Sequence, residues 1–575
     1  MTCDAIIQSN DTYDLIISLE SVDRLTLPPD CEQPIDNNYS IFYYDRSRVP
    51  PLSIETYTYS AIPKCFGLLD TTALEESGIL KLQVSPALSL YGQGVLIGFV
   101  DTGIAYENQC FRNLDGSTRI RAIWDQTAVP HEISASLEDF DQSDRINQPP
   151  PGFAYGVEYT EEQINEALMS ENPRSIVPQE DAIGHGTALA SIACGTADAS
   201  SDFTGAAPLA DILAVKLKPA KPYLKDFFYI PENAICYQEN DIMTAIAYLE
   251  KKATEFGQPL VICIGLGTNN GSHSGGSILS EYLNDIGGRW RRCIVTASGN
   301  EAGARHHFMG KSDVSKGEPI AVEITAETAM RGFYLELWAS APELFTVSLR
   351  SPGGTLLPPA ATRSRGHQEY EFLVENTTVT IDYRTVGRTR GDQLIFVRFD
   401  NAARGIWTLL VYPDTTTTGT FHVWLPMTGM LERDVYFLKP NPDVTLTIPS
   451  TAAIPITVGG YQTNNGGLYL NSGRGFTVTN VVKPDFVAPA VNIFAVNPRG
   501  NYTTVTGTSA ACAITAGACA QIMEWGAVRR SYISLNSVEI GNILIRGCRR
   551  DLDRTYPNTQ WGYGKLDVYE AFRNI

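Results

Sequence analysis

Four continuous apolar runs between residues 94 and 300 limit most strongly what this chain can fold into. They are GVLIGFVD (94–101), ADILAVKL (210–217), LVICIGLG (260–267) and RCIVTASGN (292–300). Strands that are buried on both faces of a parallel sheet have such runs, without polar alternation. Helical patterns lie between or beside them, at 186–194, 240–256 and 276–287. This alternation predicts an α/β domain with a doubly wound, mainly parallel sheet.

The pattern changes in two other parts of the chain. Eight short alternating segments follow residue 313: PIAVEIT, GFYLELWA, LFTVSLR, YEFLV, TVTIDYR, LIFVRF, IWTLLVY and TFHVWL. They predict an all-β, jelly-roll-like sandwich at 313–431, inserted between two parts of the α/β domain at 71–312 and 432–575. Residues 1–70 contain three short strand patterns, YDLIISL, YSIFYYD and IETYTY, and predict a small α+β module.

Charge and hydropathy exclude several classes of protein. The formal net charge of −20 disfavours nucleic acid and anionic membranes as partners. The sequence contains no run of 18 apolar residues, so we predict no transmembrane helix. Asp4 and Asp11 stand where a signal peptide would be basic and then apolar, so we expect cytoplasmic synthesis.

The cysteines and acidic clusters do not predict a metal site or a disulfide framework. The eleven cysteines form no C-x-x-C pair. Four of them lie in apolar runs: Cys263, Cys293, Cys512 and Cys519. We therefore expect reduced, buried cysteines. The acidic segment EDFDQSD (138–144) lacks the spacing of a calcium loop, and the adjacent His306 and His307 are weak evidence for a metal. We predict no metal and no cofactor.

Four polar residues stand at strand ends or helix starts of the predicted α/β domain: Asp101, His185, Asn300 and Ser509. Taken singly, each is better explained as a turn or cap residue. Taken together, they lie at the carboxyl edge of a parallel sheet, where such folds bind ligands. Their local sequences, D-T-G, G-H-G-T-x-x-A, S-G-N and G-T-S-A, occur in that order.

In these motifs the chain resembles the subtilisin-like serine proteases, or subtilases. The segments TGAAPLADILAVKL (204–217) and KPDFVAPAVNIFA (483–495) extend the resemblance beyond the four residues. It covers about residues 85–312 and 432–575 and implies a subtilisin-like fold. It also implies that residues 1–70 are a prodomain, acting as folding chaperone and inhibitor, which the enzyme removes by cutting near Asp70 and Thr71.

The resemblance assigns roles residue by residue. Ser509 matches the nucleophile, His185 the general base, Asp101 the carboxylate that orients the histidine, and Asn300 the oxyanion donor. A serine hydroxyl is a weak nucleophile near neutral pH and needs a base to take its proton. The resemblance also implies that the segment IGLGT (264–268), with Gly265, Leu266 and Gly267, binds the substrate.

Secreted subtilases usually have a short stretch between the oxyanion asparagine and the serine. In this chain, residues 301–508 lie between Asn300 and Ser509. This long separation, the inserted sandwich and the expected lack of a signal peptide together make the chain resemble the Csp germination proteases of spore-forming clostridia and related clostridial subtilases. That resemblance implies a protein substrate, the zymogen of a spore-cortex lytic enzyme, and an association with spores.

Two other functions remain open at this point. Some members of that group have lost triad residues and act as pseudoproteases, so a catalytically silent sensor or scaffold on the same fold is the first alternative. The intact Asp101, His185 and Ser509 argue against it. A carbohydrate-binding role for the sandwich rests on fold analogy alone. The sequence does not give the oligomeric state.

Overall fold

The computed structural model describes residues 3–18, 27–68, 77–83, 85–130, 148–198, 200–201, 203–313, 317–359, 366–386 and 391–575. The helices are α1 Cys3–Gln8, α2 Ile79–Gln83, α3 Glu161–Met169, α4 His185–Cys194, α5 Pro222–Phe227, α6 Glu239–Phe256, α7 Ile278–Gly287, α8 Thr508–Met523, α9 Ser537–Gly547 and α10 Val568–Arg573.

The strands of the N-terminal module and the α/β domain are β1 Thr12–Ser18, β2 Cys31–Pro34, β3 Tyr39–Asp45, β4 Cys65–Leu68, β5 Leu96–Asp101, β6 Ile120–Asp125, β7 Val157–Thr160, β8 Asp211–Lys216, β9 Tyr237–Gln238, β10 Leu260–Ile264, β11 Leu266–Gly267 and β12 Arg292–Ala297. The strands that follow are β13 His307–Lys311, β14 Ile320–Ala326, β15 Met330–Ala339, β16 Leu344–Arg350, β17 His367–Phe372, β18 Thr377–Val386, β19 Asp392–Ala402, β20 Gly405–Thr415, β21 Thr420–Trp424, β22 Val435–Phe437, β23 Ile456–Tyr461, β24 Phe486–Pro489, β25 Ile493–Val496 and β26 Tyr502–Val505.

An eight-stranded sheet forms the centre of the α/β domain, in the order β24-β23-β12-β10-β5-β8-β6-β7. Every neighbouring pair is parallel except β6 and β7. The four apolar runs of the sequence become β5, β8, β10 with β11, and β12. The predicted fold class, a mainly parallel doubly wound sheet, is confirmed. Because β5, β10 and β12 are neighbours, their carboxyl ends meet at one edge.

Helix α8 crosses this sheet and is buried along its whole length. It contacts β10, β12, β23 and helix α4. A Cβ at Gly517 would lie 2.3 Å from the Cβ of Ala206, so the packing leaves no room for bulk there. Close packing against the sheet and α4 therefore explains why the sequence of α8 consists mostly of small residues.

The β-sandwich consists of a six-stranded sheet, β13-β21-β15-β19-β18-β17, and a four-stranded sheet, β16-β20-β14-β22. Both sheets contribute to one apolar core, which includes Phe333, Phe399 and Trp407. The eight alternating segments of the sequence all form strands of the sandwich. Its strands run from His307 to Phe437 and so extend several residues beyond each end of the predicted insert.

The N-terminal module is a three-stranded antiparallel sheet, β1-β3-β2, with helix α1. A disulfide joins Cys3 to Cys31, with Cα atoms 5.5 Å apart. The expectation of reduced cysteines was wrong for this pair, because the fold brings α1 against the start of β2 across 28 residues of chain. The other nine cysteines are free and buried, as their apolar surroundings predicted.

A buried ion pair connects the module to the α/β domain. The Asp14 carboxylate, on β1, is fully buried and lies 2.6 Å from Nζ of Lys221. The Gln238 side chain also donates to Asp14. Burial lowers the pKa of Lys221 from its usual value, and the nearby Asp14 charge partly opposes that shift. A buried charge that loses its partner is strongly destabilising, so this pair depends on both chain segments remaining in contact.

A small sheet of three short strands, in the order β11-β4-β9, also unites the module and the α/β domain. Both pairings of β4 are antiparallel, with Leu68 opposite Leu266 and Cys65 opposite Gln238. The strand β4, from the end of the N-terminal module, is thus the middle strand. Among the described residues, no helix is long and apolar enough to cross a membrane.

Candidate active site

Asp101, His185 and Ser509 form a hydrogen-bonded chain at the carboxyl edge of the sheet. The two carboxylate oxygens of Asp101 lie 2.8 and 2.9 Å from Nδ1 of His185. On the other side of the ring, Nε2 lies 3.3 Å from Oγ of Ser509. Asp101 and Ser509 are almost fully buried. An acceptor at Nδ1 favours the tautomer with its proton on Nδ1, so that the lone pair of Nε2 faces the Ser509 hydroxyl and can take its proton.

Each of the three side chains is positioned by the end of a regular element. Asp101 ends β5, His185 begins α4, and Ser509 is the second residue of α8. A Cβ at Gly186 would lie 2.2 Å from the carbonyl oxygen of Gly103, so only glycine lets α4 start this close to the end of β5. The turn before α4 also needs glycine, since Gly184 has a φ of 92°.

Sequence reasoning missed Asp181, a buried carboxylate that holds the start of α4. It accepts hydrogen bonds from the backbone N–H of Gly184 and Thr187, at 2.7 and 2.9 Å, and from the Thr187 hydroxyl at 2.6 Å. It also accepts from the Thr102 hydroxyl at 2.8 Å, and Thr102 in turn accepts from the N–H of Gly186. Asp181 therefore ties the histidine helix to the residue after Asp101. The sequence signal that could have indicated Asp181 is a carboxylate residue shortly before the start of a helix.

Asn300 lies at the end of β12 and is held by the first residue of α8. Its Oδ1 accepts from the N–H of Thr508 at 3.1 Å and from the Thr508 hydroxyl at 3.3 Å. The same hydroxyl accepts from the N–H of Gly299 at 3.1 Å. These contacts use Oδ1 and hold the Asn300 side chain beside the residue that precedes Ser509, where an amide N–H would suit an oxyanion site.

The segment formed by Gly265, Leu266 and Gly267 lies directly beside Ser509 and His185. A Cβ at Gly265 would lie 3.1 Å from the Cβ of Ser509 and 3.2 Å from Cε1 of His185, so a side chain there would crowd both. Leu266 and Gly267 form β11, whose edge pairs with β4. The structure thus brings together all seven residues singled out from the sequence. Residues 472–475, with the sequence SGRG, lie close to Asn300, since the N–H of Gly473 donates to the Gly299 carbonyl.

The adjacent histidines have separate partners. His306 lies 2.8 Å from a carboxylate oxygen of Glu301, and Nε2 of His307 lies 3.0 Å from Nδ1 of His422. Among the described residues, no group of three or more histidine, cysteine, aspartate or glutamate side chains could hold a metal ion. The acidic segment 138–144 lies outside the described residues.

Comparison with known proteins shows which protein family the chain matches. The model of the subtilase family of peptidases matches residues 92–353 and 433–564. Those ranges contain all seven of the residues discussed above. The gap between them lies within the β-sandwich.

Among solved structures, the chain is similar to the CspB protease of Clostridium perfringens. The two are 30% identical, with a TM-score of 0.74, and the similarity covers 86% of this chain and 97% of that one. Among curated proteins, it is similar to the C5a peptidase of Streptococcus pyogenes serotype M1, with 22% identity over 469 residues. That similarity covers 74% of this chain but only 34% of the C5a peptidase, so this chain spans about a third of that relative's length.

Proposed function

The chain belongs to the subtilase family, and from this membership we propose that it is an active serine endopeptidase. The observation that carries the proposal is the hydrogen-bonded chain from Asp101 through His185 to Ser509. Asn300 and Gly265, beside the nucleophile, supply an oxyanion donor and the space for a peptide carbonyl.

The mechanism follows from the position of each group. Ser509 Oγ attacks the carbonyl carbon of the scissile bond while His185 Nε2 takes its proton, and Asp101 stabilises the imidazolium that forms. Nδ2 of Asn300 donates to the oxygen as it gains negative charge. The tetrahedral intermediate then breaks the C–N bond, and His185 protonates the leaving amine. A water molecule repeats the sequence on the acyl-enzyme and frees Ser509.

We further propose that the chain cuts itself behind the N-terminal module. The pairing of β4 with β11 supports this, because an extended strand beside Gly265 occupies the path that a substrate would take. The expected junction, near Asp70 and Thr71, lies outside the described residues. The module then acts first as a folding aid and afterwards as an inhibitor bound in the cleft.

The physiological substrate we propose is the zymogen of a spore-cortex lytic enzyme. Similarity to the CspB protease over most of both chains supports this choice. The experiment is direct: the purified chain is incubated with such a zymogen, and the new N-terminus is sequenced. Cleavage of an unrelated protein at the same rate would contradict a dedicated role.

Labelling with a fluorophosphonate tests the activity itself. The wild-type chain should be labelled and should appear as two fragments, whereas Ser509→Ala should be unlabelled and full-length, with a loss of turnover on the order of 10⁶. The control is Ser348→Ala, a buried serine of the sandwich that donates to the Leu357 carbonyl and should change neither result. An unlabelled wild-type chain would favour the alternative, a catalytically silent sensor or scaffold.

A further inference from the structure

A buried carboxylate of the β-sandwich, Glu336 on β15, lies where the sandwich, the α/β domain and the N-terminal module meet. It is 1% exposed. Four groups donate to it: the Tyr59 hydroxyl at 2.7 and 2.8 Å to its two oxygens, and Asn270 Nδ2, the Gly271 N–H and Trp338 Nε1, each at 2.8 Å. We call these five residues the Glu336 clamp.

Tyr59, the member from the N-terminal module, is fixed on several sides. Its ring meets that of Trp338 edge to face, with centroids 5.4 Å apart. Nζ of Lys64 lies 4.5 Å from the ring centroid and donates to the carbonyls of Tyr59 and Ile62, both at 2.7 Å. Burial, and then the Glu336 charge, raise the pKa of Tyr59 well above its usual value, so the hydroxyl remains a donor.

The clamp lies at one end of the pairing between β4 and β11. Lys64 immediately precedes β4, and Asn270 and Gly271 follow the end of β11 by three and four residues. A second contact from the sandwich reaches the same part of the module, since Nε of Arg384 donates to the Ile54 carbonyl at 2.8 Å. The sandwich therefore holds residues 54–64 at two points.

We propose that the β-sandwich is the docking surface that retains the N-terminal module after the chain has been cut, and that Glu336 anchors it. The proposal rests on the self-cleavage proposed above, because before the cut the module is retained covalently. After the cut, only non-covalent contacts hold it. A hydrogen bond to a buried charged group contributes enough that its loss should speed release about 10- to 100-fold.

The chemistry of the clamp explains why a carboxylate is needed. All four groups around Glu336 are donors, so glutamine would turn its own NH₂ group towards a donor and leave buried groups without partners. Tyr59→Phe is the milder change, because it removes one hydroxyl and leaves the contacts to Asn270, Gly271 and Trp338 intact.

The first test uses the uncut full chain, in the Ser509→Ala background, with hydrogen exchange as the readout. Glu336→Gln and Tyr59→Phe should both speed amide exchange at least about 10-fold in residues 54–64. The control is Glu343→Gln, another buried carboxylate of the sandwich, which accepts from the N–H groups of Thr417, Thr418 and Gly419 rather than from a described residue of the module. It should leave exchange in residues 54–64 unchanged.

The second test uses the active chain and measures how fast the N-terminal fragment separates from the rest on size-exclusion chromatography after dilution. Release should be about 10- to 100-fold faster in Tyr59→Phe than in wild type, with kcat unchanged once the fragment has left. Equal release rates, or equal exchange in the uncut chain, overturn the proposal. A wild-type chain that is never cut would instead refute the self-cleavage, while the exchange experiment would still decide whether Glu336 holds residues 54–64.

Discussion

Acid should loosen the junction between the β-sandwich and the α/β domain, because three buried histidines meet there around one tryptophan. The rings of His273, His307 and His422 stack on or beside Trp424, with centroids 4.0, 4.9 and 5.3 Å away. His273 follows β11, whereas His307 and His422 lie on β13 and β21. The stack therefore spans the junction between the α/β domain and the β-sandwich.

The hydrogen bonds of His307 require its ring to be neutral. Nδ1 of His307 faces the Asn441 carbonyl at 3.1 Å, so it donates, and Nε2 then accepts from Nδ1 of His422 at 3.0 Å. Burial, and then the neighbouring His273, lower the pKa of His422 to about 4. Burial lowers that of His307 well below its usual value, with His422 and His273 as further causes.

The sign and size of the effect follow from these shifts. Between about pH 6.5 and 4 the unfolded chain holds a proton on residue 422 that the folded chain does not, so stability falls as the pH falls through that window. Below pH 4 both states are protonated, and the loss stops. The shift of His422 corresponds to about 3 kcal/mol in total, at about 1.4 kcal/mol for each pH unit. That is a large share of the stability of an ordinary domain, about 5–15 kcal/mol.

The assay compares urea unfolding of the Ser509→Ala chain with and without His422→Gln, from pH 7 to 4.5, followed by tryptophan fluorescence. For each pH unit below pH 6, the free energy of unfolding should fall by about 1.4 kcal/mol less in the variant than in the parent chain. Carboxylates common to both proteins cancel in the difference. Equal slopes would refute the reasoning, since they would mean that residue 422 does not change protonation on unfolding.

Three further outcomes are expected. Asn300→Ala should lower kcat by about 10²–10³ and leave KM nearly unchanged, because the amide donates to the oxyanion rather than to the substrate carbonyl. Steady-state kinetics on a peptide substrate would measure this, and a change in KM alone would contradict the proposed role. Asp181→Ala should lower kcat and cost about 1–2 kcal/mol of stability, since the start of α4 loses the acceptor of Thr187; an unchanged pH–rate profile and kcat would argue against a positioning role. Asp14→Asn should leave Lys221 unpaired and cost about 3–5 kcal/mol, measured as faster hydrogen exchange in β1, whereas the double change to Asp14→Leu and Lys221→Met should recover most of that loss.

The sequence predicted the α/β domain well, because its strands are buried on both faces. A run such as GVLIGFVD has no polar alternation and permits few other structures. The positions of Asp101, His185, Asn300 and Ser509 followed from the same pattern, since each stands where an apolar run ends or a helix begins. Strand ends in a parallel sheet are neighbours in space although they are distant in sequence.

The sequence did not reveal the contacts that depend on distant segments meeting. Nothing near Cys3 or Cys31 indicates that α1 packs against β2, and the disulfide was missed for that reason. Glu336 lies in an alternating strand, GFYLELWA, where a charged residue usually faces water. Only the folded chain places Tyr59, Asn270 and Gly271 around it. Short strands such as β9 and β11 are likewise defined by their partner rather than by their own residues.

The middle position of β4 restricts which peptide segments could take its place. Cys65 and Phe66 pair with β9, and Gly67 and Leu68 pair with β11, so the backbone of four consecutive residues is used for pairing. Proline has no N–H to donate and is confined to edges and bulges of sheets. If a substrate takes the place of β4, as the proposed self-cleavage implies, it must lie extended between β11 and β9, and proline would disrupt the pairing wherever its N–H is needed. Protein segments rich in proline, or held in a helix, would be resistant to this enzyme however exposed they are.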